Sequence, residues 1–225
     1  MRFTRTITMA LAAVAVSGLL VAGAFAASSN GAAEHDMSGM TMAKAAPMTS
    51  ANLRVALDNL FGEHAVLAMN ATNAGVTGSN SFPAAAKSLD NNSVALSKAI
   101  ASVYGPAAGK QFLNGKNLWR AHIKYFVDYT VAKAKHDKAG QKKAVANLMV
   151  YIQTQAAFFA KATGLPKQAL VNDLTAHVLQ LKGQLDAYAA RNYADAARLQ
   201  HGAYVHMGMT ADVLASAIAK QKNLG

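Results

Sequence analysis

Cysteine is absent from the 225-residue chain. That excludes disulfides, thiolate zinc sites and iron–sulfur clusters, and leaves no thiol for a lipid anchor. Acidic side chains are few, 11 against 22 lysines and arginines, for a formal charge of +11. Beyond residue 49 the only glutamate is Glu63. The di-iron centre of ferritin-like bundles needs several inward glutamates and Glu-x-x-His pairs, so it has no donors here. Calcium and magnesium, which require clustered carboxylates, are disfavoured for the same reason. Neither Ser50 nor Ser93 sits in a nucleophile elbow or another hydrolytic arrangement. Proline occurs four times and tryptophan once.

The first 26 residues have the form of a cleaved export signal. A basic "RFTRT" precedes an apolar run from Ile7 to Val21, and Ala24-Phe25-Ala26 supplies a small-x-small cleavage site. The run is shorter than the ~20 residues of a membrane span, so no stable insertion is expected after cleavage. Export to the periplasm or beyond also removes the usual opportunity to meet nucleic acid. The positive excess, concentrated between Lys110 and Lys143 with no regular interleaving of aromatics, reads as a solvated face near anionic cell-envelope polymers.

Residues 27–49 are small, polar and methionine-rich, with no apolar period, and are expected to form a flexible tail. From residue 50 the pattern becomes helical. Stripes at alternating steps of four and three comprise Leu53, Leu57, Leu60, His64, Leu67 and Ala71, then Leu89, Asn92, Leu96, Ala99 and Val103. They continue with Phe112, Gly115, Trp119, His122, Phe126 and Tyr129, then Ala144, Leu148, Tyr151, Gln155 and Phe158. The last two contain Leu170, Leu174, His177, Leu181 and Leu185, then Leu199, Gly202, His206, Met209 and Val213. Pro83, Gly105-Pro106, Gly164 with Pro166, and Asn192 mark the breaks. The expected fold is therefore all-α, an antiparallel up-down bundle of six helices in three hairpins, 50–103, 106–163 and 166–222.

An Asn, a large apolar residue and a His recur at the same offsets in "NLFGEH" (59–64), "NLWRAH" (117–122) and "NDLTAH" (172–177). The recurrence suggests that the hairpins are an internal repeat. It also allows heights to be counted. Equal numbers of residues up one helix and down the next return the chain to the same level. Counting 29 residues from His177 reaches His206, from His122 reaches Tyr151, and from His64 reaches Ser93 beside Asn92. The pattern predicts a buried layer of His64, His122, His177 and His206, with Asn92, Tyr151 and Glu63 around it. His136 and His201 fall off the stripes and are expected to face solvent.

A lone histidine on an apolar stripe is usually a hydrogen-bonded core residue. Several at one level need several partners, and a metal ion supplies them together. With thiolates and carboxylates missing, imidazole and thioether remain as donors. His206 and Met209, three apart in "HMGM", suit copper, especially Cu(I). The tail sequence "HDMSGMTM" offers His35, Met37, Met40 and Met42 for soft-metal capture. That stretch resembles the His/Met-rich segments of bacterial periplasmic copper- and silver-handling proteins.

The segments "LWRAHIKYFVDYTVA" and "HMGMTADVLASAI" resemble a group of exported bacterial helical domains, some of them labelled copper amine oxidase-like. The resemblance implies a helical fold and copper contact through His64, His122, His177, His206 and Met209. The tyrosine motif and copper-histidine pattern of the β-rich amine oxidases themselves are not recognisable, so no turnover chemistry is expected. Copper sequestration or delivery is thus the leading expectation. A bundle binding haem non-covalently, through a core histidine and Met209, is the first alternative. A structural or interaction domain with hydrogen-bonded core histidines is the second.

Overall fold

The computed structural model describes residues 48–225, and the expected signal and tail, with His35, Met37, Met40 and Met42, lie outside them. Among the described residues the chain is all-α. Its helices are α1 (Ser50–Thr77), α2 (Phe82–Tyr104), α3 (Pro106–Asn114), α4 (Trp119–Ala134), α5 (Lys138–Thr163), α6 (Lys167–Ala189) and α7 (Tyr193–Lys222).

The punctuation works chemically. The Thr49 hydroxyl accepts from the Asn52 amide at the start of α1, the Asp137 carboxylate from Gly140 at the start of α5, and Asn192 from Asp195 at the start of α7. Gly78 and Gly164 end α1 and α5 in the left-handed conformation, at φ 67° and 74°. The six expected segments are all helical, but the third is in two pieces. α3 stops at Gly115, where a Cβ would lie 2.5 Å from Leu118 Cδ1 and 2.6 Å from the Gln111 carbonyl oxygen. The chain then passes through Asn117 at φ 56° before Trp119 opens α4.

The hairpin pairs α1/α2, α4/α5 and α6/α7 each pack together, and α1 also lies against α4, α6 and α7. One continuous apolar core draws side chains from every helix, so the stripes do face a shared interior. The two ends of the described chain meet where the Ser50 amide donates to the Gly225 carbonyl at 2.8 Å. No helix among the described residues is long and apolar enough to cross a membrane.

One stripe is displaced. In α7 the buried positions are Ala196, Ala203, Met207, Thr210, Ala211, Leu214, Ala215 and Ile218, not the expected Leu199, Gly202, Met209 and Val213. Small residues let α7 approach its neighbours along an alanine face, and the helix is turned to present that face. Met209 and Val213 are left exposed. The three asparagines of the recurring element also differ in setting. Asn59 and Asn172 are exposed within helices, whereas Asn117 sits in the α3–α4 connection and accepts from the Tyr125 hydroxyl at 2.8 Å.

Candidate metal site

α1 carries His64 inward because Leu57, Phe61, Ala65, Ala68 and Ala71 wrap the same buried face. α4 brings His122 one turn after Trp119, and α6 brings His177 between Leu174 and Leu181. All three imidazoles are buried. The ring centres of His64 and His122 are 5.5 Å apart, and those of His64 and His177 are 5.9 Å apart. His64 is therefore the ring common to both close pairs. Trp119 packs against the layer with its ring centre 4.8 Å from each of His64 and His122. Its indole N–H donates to the buried Ser93 hydroxyl at 3.2 Å. Tyr151 stacks on His122 at 4.5 Å and 22°, which is where counting across the hairpin places it.

These rings have unmet bonding capacity. Both nitrogens of His64, Nδ1 of His122 and Nδ1 of His177 are buried without a hydrogen-bond partner. Gln155, fully buried on α5, has neither its amide nitrogen nor its oxygen paired. Burial holds the His64 and His177 rings well below the usual imidazole range, each helped by the neighbouring histidines. Burial also takes His122 down to about 3, assisted by His177 and opposed by the Trp119 carbonyl. All three are thus neutral at physiological pH, with a lone pair open to a metal and almost no proton to displace. Two imidazoles on one ion, with metal–nitrogen bonds of about 2.0–2.1 Å, hold their ring centres roughly 5–6.5 Å apart. Both measured separations fall in that interval. No group of three or more His, Asp or Glu side chains among the described residues is placed as a ready-made metal cage. A cavity of about 20 Å³ adjoins His64 and His122, lined also by Thr72, Leu89, Phe126 and Leu181. That is room for one water or one ion.

The other expected donors are elsewhere. His206 is half-buried and donates from Nε2 to the Asp173 carbonyl at 3.1 Å, with Asp173 Oδ1 at 3.3 Å. It reaches α6 one turn before His177 and belongs to a separate cluster in which the Thr210 hydroxyl donates to Asp173. Met209 is 55% exposed, and the buried methionine of that stretch is Met207. Met209 therefore stands outside the layer, turned out with the displaced stripe. Asn92 donates to the Leu60 carbonyl and to Glu63 Oε2, which ties α2 to α1 and leaves Glu63 exposed at the rim. His136 and His201 face solvent, as expected.

Sequence reasoning passed over Asp173, which lies off every stripe, and treated Trp119 and Gln155 as packing alone. Gln155 did carry a signal, since an amide on an otherwise apolar α5 stripe asks for a partner. No protein-family model, curated protein or solved structure matches the chain.

Proposed function

We propose that this is an exported protein that binds copper between the buried imidazoles of His64, His122 and His177, to sequester the ion or pass it on without turnover. The observation that carries the reading is the convergence of three neutral rings with four unpartnered nitrogens. A buried polar atom left unpaired costs about 1–3 kcal/mol, so four in one layer are costly unless something binds there. An ion between His64 and a neighbouring ring satisfies two of them at once. Copper suits the donor set because nitrogen donors stand without carboxylates or thiolates, and a two- or three-coordinate imidazole site is acceptable to Cu(I). The His/Met tail and the export signal expected from the sequence agree with that choice. Haem fits less well, since ligand pockets of its class need about 300 Å³ or more, against about 20 Å³ at the layer.

A second reading has its own support. The lack of a three-residue ligand cage and the tight stacking of His122 on Tyr151 also suit a purely structural core. Cu(I) loading of the full chain, followed by elemental analysis and thermal melting, separates the two. Copper binding predicts a metal-dependent rise in Tm of the bundle that His64→Leu abolishes. The structural reading predicts no such rise in either protein. Under both, His64→Leu raises the stability of the metal-free protein, because leucine leaves no ring nitrogen unpaired.

A further inference from the structure

Exposure falls in steps along the α6–α7 seam. Met209 is 55% exposed, the Asp173 and His206 side chains are 28% and 14% exposed, His177 is 3% exposed and His64 is 1% exposed. Met209 follows His206 by three residues on α7, and Asp173 precedes His177 by four on α6, so each step is one helical turn or one helix-to-helix contact. A cavity of about 190 Å³ opens beside this cluster, lined by Leu165, Leu170, Asp173, Thr210 and Val213. At its wall Asp173 is the lone carboxylate, held by the Thr210 hydroxyl at 2.9 and 3.1 Å.

From this gradient we infer that the α6–α7 seam is the way in for the metal, with Met209, then Asp173 and His206, as successive stops before His177. The inference rests on the copper reading of the buried layer and adds the path and its direction. The donors suit a soft cation losing its water. A thioether at the surface accepts it without a competing proton, and a partly buried carboxylate offers a compensating negative charge at the point where hydration is shed. The Nε2 hydrogen of His206 is committed to the Asp173 carbonyl, so in the neutral ring the lone pair rests on Nδ1. His177 Nδ1, unpartnered one turn further along α6, is the next acceptor. The alanines on the buried face of α7, Ala203 and Ala211, keep the seam thin enough for a small ion to cross.

Trp119, the only tryptophan, provides the readout, because copper at His64 and His122 lies against its ring and quenches it. The test is stopped-flow mixing of the full chain with anaerobic Cu(I), comparing the unaltered protein with Asp173→Asn and Met209→Leu. The expected result is quenching slowed about tenfold by Asp173→Asn and a few-fold by Met209→Leu, with the same final amplitude in all three. Met209→Leu alters an exposed side chain, so it carries the test even where Asp173→Asn does not fold. Quenching at the unaltered rate in the variants overturns the path and leaves the buried site standing. A lower final amplitude in Asp173→Asn makes Asp173 a ligand of the final site and also overturns it. No quenching in the unaltered protein removes the buried site, and the path with it.

Discussion

The α4–α5 seam and the α6–α7 seam were expected to behave alike, and they do not. In the first, His122 meets Tyr151 face to face at 4.5 Å, as the count across the turn requires. In the second, the same count brings His206 to α6, but its ring bonds to Asp173 and Met209 turns to the surface. The difference lies in side-chain size. Trp119, Phe126, Tyr129, Leu148, Tyr151 and Ile152 fill the first seam with bulky groups that admit one rotation of each helix. Along α7 half of the inward residues are alanine, which a sequence pattern cannot tell from a small surface residue. Height along a bundle follows from counting; rotation about a helix axis depends on shape.

Acid should expose the layer most strongly. The three buried rings are neutral in the fold but take up protons near pH 6.5 when unfolded, so the unfolded chain binds more protons below that pH. Stability is therefore complete above about pH 6.5 and falls as pH drops, until the depressed folded pKa values are reached, about 3 for His122. Each ring contributes a slope of about 1.4 kcal/mol per pH unit, roughly 4 for the three. Urea denaturation of the metal-free protein should show unfolding within about one to four units below pH 6.5, given a total of about 5–15 kcal/mol. His64→Leu should lessen the slope by about a third, and an unchanged slope would contradict burial of that ring as a source of the acid sensitivity.

Trp119→Ala should lower unfolding stability by about 3–5 kcal/mol in denaturant titration, because it empties the packing around His64 and His122 and leaves the Ser93 hydroxyl with its bond to the Leu89 carbonyl alone. On α7 the two methionines form an internal control. Met207→Ala should cost about 2–5 kcal/mol and Met209→Ala should stay within about 0.5 kcal/mol. The reverse order would restore the stripe expected from sequence.

The all-α class, the turns at Gly105, Gly164 and Asn192, and the three converging histidines were readable because each follows from a local rule: a cap, a break or a period. The interruption before Trp119 was not. Gly115 fitted the helical stripe, and what ends α3 there is the close approach of Leu118 and the Gln111 carbonyl, a contact with no sequence signature. Asp173 was invisible for a related reason. It lies beside the α6 stripe and becomes half-buried only because α7 rotates against it. The recurring asparagines drew the eye to the histidines, although only Asn117 takes part in a connection between helices.

The most direct test of the central claim is X-ray absorption at the copper edge of the Cu(I)-loaded full chain and its His64→Leu variant. The account predicts a nitrogen shell at about 2.0 Å with imidazole scattering in the unaltered protein, strongly reduced in the variant. A spectrum of sulfur neighbours alone, or an imidazole shell indifferent to His64→Leu, would contradict it.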